Sequence, residues 1–210
     1  MEKLVIIGAG GLGREVAWIV QRINSREPAF EVLGFLDDDS DLTGKCIDGI
    51  PILGNTSAIP EHVSVICAIG NNRIRHEMAL KLAGNGIKLA TVIDPSASIA
   101  PSAVIGEGSY IGIGAIVSAG TALGRSTIVN HNACIGHDVN AADACQFCPG
   151  CCISGSCSFG ERAMVATLAG IIPGKKIGTD AMIGAGIVAY RDLDDGAVLV
   201  STAGIRQSRI

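Results

Sequence analysis

The chain has 210 residues, of which 48% are hydrophobic and only 17% are charged, so it can build a packed core and a disordered chain is excluded. Its net charge is −4, it contains no basic run, and no apolar stretch reaches the ~18 residues that a bilayer span requires. We therefore expect neither nucleic acid nor a membrane as a partner.

Residues 1–92 alternate between apolar runs and helical spacing. We predict a buried strand at residues 4–7, a helix at 14–22, strands at 30–36, 50–54 and 63–69, a helix at 73–83 and a strand at 88–93. This alternation is typical of a Rossmann-like α/β domain with a parallel sheet. The first apolar run is too short for a secretory signal, so we expect a cytoplasmic protein.

A glycine-rich turn follows the first predicted strand. Gly8, Gly10 and Gly13 form G-x-G-x-x-G before a helix, where the backbone can approach a phosphate and the helix N-terminus favours an anion. The alternative is a turn that only packs the helix against the strand. An NAD site is disfavoured, because residues 1–92 supply too few strands for a two-lobed NAD fold. A mononucleotide or nucleotide-sugar site fits better.

Polar side chains follow two later strands of the same domain. Asp37 and Asp38 end one strand and Asn71 follows another, and the carboxyl ends of parallel strands meet at one edge of the sheet. Such side chains can bind a base, a ribose or a pyrophosphate. The predicted acceptor pocket consists of Gly10, Gly13, Arg14, Asp37, Asp38, Gly70 and Asn71.

A period of six residues governs the next segment. Large apolar residues recur every six positions from Ile93 to Ile183, with Ala141 as the one small member, and a second series of mostly small residues follows four positions later. This period predicts a hexapeptide parallel β-helix, a solid prism whose chemistry must lie on its outside. We assign it residues 93–190, and we assign a terminal cap to residues 191–210.

The cysteines allow two interpretations. Two C-x-x-C spacings, at residues 145–148 and 148–151, could hold zinc or an iron–sulfur cluster. Cys145, Cys151 and Cys157 share the small inward phase of the repeat, however, so their thiols point into the prism from different faces. We therefore expect structural thiols and no metal.

Two histidines lie in the repeats, six residues apart at an outward corner. With three hexapeptides in a coil, residues eighteen apart stack ~4.8 Å from each other, which puts His137 beside Gly155. An imidazole next to an open backbone N–H is a general base beside a place for an acyl oxygen, and Asp138 could orient the ring. The alternative is that His131 and His137 are both inert corner residues.

Four stretches of the chain together resemble one family, the sugar acyltransferases of sialic acid and bacterial aminosugar pathways. The stretches are V-I-I-G-A-G-G-L-G-R-E-V-A at residues 5–17, G-F-L-D-D-D at 34–39, A-I-G-N-N-R-I-R at 68–75 and V-N-H-N-A-C-I-G-H-D-V at 129–139. The resemblance implies a left-handed β-helix and a homotrimer. It also implies acetyl-CoA bound between neighbouring prisms and a nucleotide-sugar acceptor held by the N-terminal domain.

The same resemblance implies roles for individual residues. His137 would be the base, Asp138 its carboxylate partner, and the Gly155 N–H would meet the thioester carbonyl. Gln146 stands where some members have a second histidine, and residues 201–206 lack the proline of the family's terminal G-x-P-A-R stretch. The predicted acetyl-CoA contacts are Gly155, Gln146, Ala166, Lys175, Lys176, Gly184 and Ala185.

Two lysines near the end of the repeats interrupt the pattern. Lys175 occupies the small inward series, so we expect it to tilt outward and, with Lys176, to meet the CoA phosphates. The alternative is a lysine whose stem covers apolar surface while its ammonium stays in water.

We expect the chain to transfer acetyl from acetyl-CoA to the amino group of a nucleotide-linked deoxy-aminosugar, by direct attack without an acyl-enzyme. The alternative activity is O-acetylation of sialic acid or a related sugar hydroxyl. Two further interpretations are a nucleotide-sensing or scaffold protein with an inactive prism, and an NAD-linked oxidoreductase. The sugar and the nucleotide stay open.

Overall fold

The computed structural model describes residues 1–201, and its first part is a sheet between two helices. The elements are β1 (Glu2–Ile7), α1 (Gly11–Arg26), β2 (Phe30–Leu36), a 3-10 helix (Ser40–Leu42), β3 (Cys46–Ile47), β4 (Ile50–Gly54), β5 (Ser64–Cys67), α2 (Asn72–Gly84) and β6 (Lys88–Leu89). The strand order is β3-β4-β2-β1-β5-β6, and only β3 is antiparallel to its neighbour. This is the predicted α/β unit.

The central strand β1 is apolar on both sides because a helix covers each face of the sheet. Leu4 and Ile6 belong to the core on the side of α1, whereas Val5 and Ile7 belong to the core on the side of α2. This burial on both faces explains the unbroken apolar run that the sequence shows.

Residues 92–199 form a solenoid whose two-residue strands build three parallel faces. The first face consists of Val92–Ile93 (β7), Tyr110–Ile111 (β10), Ile128–Val129 (β13), Gln146–Phe147 (β16), Met164–Val165 (β19), Met182–Ile183 (β22) and Val198–Leu199 (β24). The second face consists of Ser98–Ile99 (β8), Ile116–Val117 (β11), Cys134–Ile135 (β14), Cys152–Ile153 (β17), Gly170–Ile171 (β20) and Val188–Ala189 (β23). The third face consists of Val104–Ile105 (β9), Ala122–Leu123 (β12), Asn140–Ala141 (β15), Ser158–Phe159 (β18) and Lys176–Ile177 (β21).

The predicted six-residue register is confirmed in these strands. The large apolar residue is the second residue of each strand, and it is buried throughout from Ile111 to Ile183. Ala141 pairs with Phe159 on the next coil, and the Phe159 ring packs edge-on against Phe147 with ring centres 5.1 Å apart. The one small member of the series therefore makes room for two aromatic rings.

Every sixth residue from Gly108 to Gly186 has a positive φ, which turns the chain at each corner of the prism. Glycine fills some of these positions at no steric cost. The others are Ser126, Asn132, Asp138, Ala144, Ser156, Arg162, Leu168 and Asp180. The whole solenoid is the predicted left-handed parallel β-helix.

The two ends of the solenoid differ from the sequence prediction. The predicted strand at 88–93 is wrong, because its first half pairs with β5 in the sheet and its second half, β7, pairs with β10 in the solenoid. At the other end, Leu193 bridges to Ile177 and β24 pairs with β22, so the ladder continues through residue 199. Residues 202–210 of the predicted cap lie outside the described residues.

The α/β unit packs on the first face of the solenoid. Val16 and Ile19 of α1 share a core with Tyr110 and Ile128 of that face. Within residues 1–201 neither helix has the length and hydropathy of a membrane span.

Candidate active site

His137 lies where the chain turns from the second face to the third. Its side chain is 66% exposed, and its Nδ1 lies 2.8 Å from Oδ2 of Asp138. Asp138 is one of the corner residues with a positive φ, 54°. A carboxylate can only accept, so Nδ1 donates this hydrogen bond, and in the neutral imidazole Nε2 then carries the lone pair. The pair thus presents a basic nitrogen to solvent.

Gly155 lies one coil beyond His137, as the eighteen-residue spacing predicts. A Cβ on Gly155 would collide with Nε2 of His137, so the imidazole lies against bare backbone. The neighbouring N–H groups of Ser154 and Ser156 donate to Ile171 and to the His137 carbonyl, respectively. The N–H of Gly155 has no hydrogen-bond partner within residues 1–201. A free donor and a free base are therefore adjacent.

His131 has the same phase in the repeat but different surroundings. Its Nδ1 accepts a hydrogen bond from the Ile113 N–H at 3.0 Å, and its Nε2 faces Oε2 of Glu15 on α1 at 3.6 Å. The ring also packs edge-on against Trp18 at 6.5 Å. Both nitrogens are thus occupied at the junction of the two units. Sequence phase could not separate this structural histidine from the exposed one.

One cleft opens at the carboxyl ends of β1, β2 and β5, as predicted, with a volume of about 280 Å³. We call it the sheet-edge cleft, and it is lined by Ile7, Gly8, Leu36, Asp37, Asp38, Thr56, Ala68 and Ile69. Asp37 accepts hydrogen bonds from the N–H groups of Ala9 at 2.8 Å and Asp39 at 3.0 Å. Asp38 accepts from the N–H and the hydroxyl of Thr56, both at 2.9 Å. Both predicted acids therefore border the cleft.

Three other residues predicted for the acceptor pocket, all in or next to the glycine-rich turn, do not line the sheet-edge cleft. Gly10 is exposed at the N-cap of α1. Gly13 is buried, and a Cβ there would collide with the Gly8 carbonyl, so it serves helix–strand packing and does not border the cleft. Arg14 is paired with Asp48 at 2.7 Å on the surface, and it does not line the cleft either. The pairing raises the pKa of Arg14.

A second cleft of about 350 Å³ lies between the loop after β5 and the first face of the solenoid. This junction cleft is lined by Gly70, Asn71, Asn72, Arg73, Arg162, Met164, Asp180, Ala181 and Met182. Gly70 and Asn71, both predicted in the acceptor pocket, are here. The Asn71 side chain caps α2 by accepting from the N–H groups of Arg73 and Ile74.

The predicted acetyl-CoA residues do not converge in one chain. Ala166 and Gly184 follow β19 and β22, at the corner between the first and second faces, and Ala185 is next to them. Gln146 is on the first face, while the exposed Lys176 begins β21 on the third face. Gly155 is at the corner of the second and third faces. Half-buried Lys175 precedes Lys176 and is outside the hydrophobic core.

The amide group of Gln146 is only partly satisfied by hydrogen bonds. Its Nε2 lies 3.7 Å from Sγ of Cys148, and its Oε1 is buried without a hydrogen-bond partner in the described structure.

The inward cysteines are buried as expected. Burial raises the pKa of the Cys145 and Cys151 thiols to about 12, so both are neutral. Within residues 1–201 no three potential metal ligands come together.

Comparisons with known proteins place these features in context. The PglD N-terminal domain family matches residues 3–82. A variant of perosamine N-acetyltransferase from Caulobacter crescentus, in complex with CoA and GDP-perosamine, is 32% identical, with 94% of this chain and 93% of that chain covered and a TM-score of 0.86. The acetyltransferase domain of PglB from Neisseria gonorrhoeae, in complex with acetyl coenzyme A, is 34% identical, with 94% and 95% covered and a TM-score of 0.85.

A more distant structure, WeeI from Acinetobacter baumannii, is 24% identical over 97% of this chain and 98% of that chain, and its TM-score of 0.75 shows the same fold. No curated protein sequence matches this chain significantly.

Proposed function

Because this chain belongs to the hexapeptide-repeat sugar acyltransferases, we propose that it moves acetyl from acetyl-CoA to the amino group of a nucleotide-linked deoxy-aminosugar. The relative with 32% identity is in complex with CoA and GDP-perosamine, and the relative with 34% identity is in complex with acetyl-CoA. The observation that carries the proposal is the His137 imidazole, oriented by Asp138 and lying against the Gly155 backbone.

In the proposed reaction the acceptor amine attacks the thioester carbonyl carbon. Nε2 of His137 takes the amine proton, and the Nδ1 hydrogen bond to Asp138 stabilises the imidazolium that results. The N–H of Gly155 donates to the oxyanion of the tetrahedral intermediate. When the intermediate collapses, the carbon–sulfur bond breaks and coenzyme A leaves with the proton. A thioester is already activated, so no covalent intermediate on a cysteine is needed.

We further propose that the active site forms between copies of the chain in a homotrimer. The sheet-edge cleft lies within the α/β unit and the junction cleft lies between that unit and the first face, whereas His137 is on the opposite corner of the prism. Gln146, on the first face, would then meet acetyl-CoA held against the His137 corner of a neighbouring copy. Lys175 and Lys176 supply the positive charge for the CoA phosphates.

The nucleotide part of the acceptor would occupy the sheet-edge cleft, with Asp37 and Asp38 as hydrogen-bond acceptors. From there the sugar extends past Gly70 and Asn71 into the junction cleft. The C. crescentus relative is an N-acetyltransferase, which favours an amine over a hydroxyl acceptor.

The test is a panel of GDP-perosamine, uridine- and thymidine-diphosphate aminosugars and sialic acid with acetyl-CoA, read by release of free thiol. We expect turnover of at least one amine, and a fall in kcat of about 10²–10⁴ in His137→Asn. Acetyl-CoA affinity, measured by calorimetry, should stay within about twofold because the variant keeps the groove. His62→Asn, at an exposed histidine of the α/β unit, is the control. Turnover only with sialic acid, or full activity of His137→Asn, would overturn the proposal.

A further inference from the structure

The start of α2 docks on a column of backbone carbonyls at the corner between the third and first faces. Ser126, Ala144 and Arg162 are corner residues with positive φ on three consecutive coils. Their carbonyls accept from Arg75 Nε at 2.9 Å, Arg75 Nη2 at 2.8 Å and Asn72 Nδ2 at 2.9 Å, respectively. At the next corner residue of this column, Asp180, the side-chain Oδ2 and not the carbonyl accepts from Arg73 Nη2 at 3.1 Å.

Arg75 is fully buried, and no carboxylate is among its hydrogen-bond partners in the described structure. Burial lowers its pKa to about 10, so the guanidinium still carries its charge at neutral pH. A buried charge requires complete hydrogen bonding, which only carbonyl and amide oxygens supply here. Such an arrangement is costly to build, and its geometry is therefore strict.

The same guanidinium also holds the loop between the two clefts. Arg75 Nη1 donates to the Ile69 carbonyl at 2.8 Å, and Nη2 donates to Oδ1 of Asn72 at 3.0 Å. Ile69 lines the sheet-edge cleft, whereas Gly70 and Asn71 line the junction cleft. One side chain thus joins the loop that borders both clefts to the rigid coils of the prism.

We propose that Asn72, Arg73 and Arg75 form a corner clamp that fixes the loop at residues 69–71 above the first face, with Arg75 as the positioning residue for the acceptor. This rests on the proposed function for its effect on turnover. The clamp holds in place the loop that lines both proposed acceptor clefts, so its loss should weaken acceptor binding. Arg75 itself touches no reacting atom.

The test compares Arg75→Lys and Asn72→Ala with Arg22→Lys. Lysine keeps the charge of Arg75 but cannot reach the carbonyls of two coils and the loop at once. Arg22 joins the same two units through Asp94 at 2.6 Å, lines neither cleft, and is the matched control. With the panel acceptor that the wild type uses best, we expect the acceptor KM to rise about tenfold or more in both clamp variants and the acetyl-CoA KM to stay unchanged.

A second measurement keeps the clamp testable without turnover. Hydrogen–deuterium exchange should accelerate at the amides of residues 69–73 in Arg75→Lys and Asn72→Ala, but not in Arg22→Lys. An unchanged acceptor KM with unchanged exchange in folded clamp variants would overturn the inference, as would an equal KM rise in Arg22→Lys. If the wild type uses no panel acceptor, the proposed function fails, and the exchange experiment alone decides on the clamp.

Discussion

Gly155 has no side chain, and the His137 imidazole occupies the space where one would be. The sequence predicted this contact because the eighteen-residue spacing stacks any two residues of one phase. It could not predict that His131, six residues earlier, uses both ring nitrogens at the junction with α1. That difference depends on which face the α/β unit covers, and the repeat itself carries no signal for it.

A methyl group at Gly155 should separate packing from chemistry. The backbone there is compatible with alanine, and the three atoms nearest to the new Cβ all belong to the exposed His137 ring, so Gly155→Ala should unfold at nearly the same temperature as the wild type. The displaced imidazole should lower kcat by about 10²-fold or more. Gly170→Ala, whose Cβ would meet Val188 at an ordinary 3.6 Å, is the control on the same prism. Wild-type kcat in Gly155→Ala would show that the ring position is unimportant.

At the scale of the elements, the six-residue repeat made the solenoid predictable. Each hexapeptide presents its large residue to the same narrow core, so the spacing of the large residues along the sequence reveals the period. The corner positions are harder to predict from residue type, because Leu168 adopts φ 58°, a backbone conformation that glycine and asparagine favour and leucine does not. Stacking on the coils above and below overrides this local preference.

The role of α2 could not be predicted from the sequence. We predicted acceptor contacts for Gly70 and Asn71. Nothing in the sequence, however, indicated that the neighbouring Asn72 and Arg75 donate hydrogen bonds to carbonyls of the solenoid corner. Carbonyls belong to every residue type, so their pairing with a distant arginine leaves no mark in composition or spacing. Gly13 was similarly ambiguous, because a phosphate-binding turn and a packing turn need the same glycine.

The ion pair between Arg22 of α1 and Asp94 of the first coil should make the free energy of unfolding depend on pH. Burial alone would raise the pKa of Asp94, but hydrogen bonds from Arg22 and Ser96 outweigh burial and lower it to about 2. An unfolded aspartate titrates near ~3.9, so the folded state favours the charged form. The charged form of Asp94 therefore adds about 2 kcal/mol to the free energy of unfolding. This stabilisation is complete above the pKa of an unfolded aspartate, and it is lost as the pH falls toward 2.

Urea unfolding of Asp94→Asn checks this sign. At pH 7 the variant should be less stable than the wild type by about 2 kcal/mol, and the gap should narrow between pH 4 and pH 2. Asp48→Asn, which breaks the exposed pair with Arg14, should change stability little at any pH. A gap that stays constant down to pH 2 would contradict the assignment of the charge to Asp94.

At the scale of the whole molecule, the residues proposed for the active site lie on opposite sides of a single prism. The junction cleft, proposed to hold the acceptor sugar, adjoins the first face, and His137, the proposed base, projects from the corner opposite that face. A copy related by a three-fold axis could bring its own His137 corner to the first face of its neighbour, which is the closed symmetry that the homotrimer proposal requires.

Mixing two inactive variants tests this arrangement directly. His137→Asn lacks the base, and Gly70→Trp should fill the junction cleft, since a side chain at Gly70 meets no other atom nearby. If each site takes its base from one copy and its acceptor from another, co-expressed variants should form some sites with both intact parts, about a quarter of all sites in random trimers. Activity should therefore return to about a quarter of the wild-type value, measured by thiol release from the purified mixture. Light scattering supplies the mass of the assembly. If every site belonged to a single chain, each copy would keep its own defect and the mixture would stay inactive.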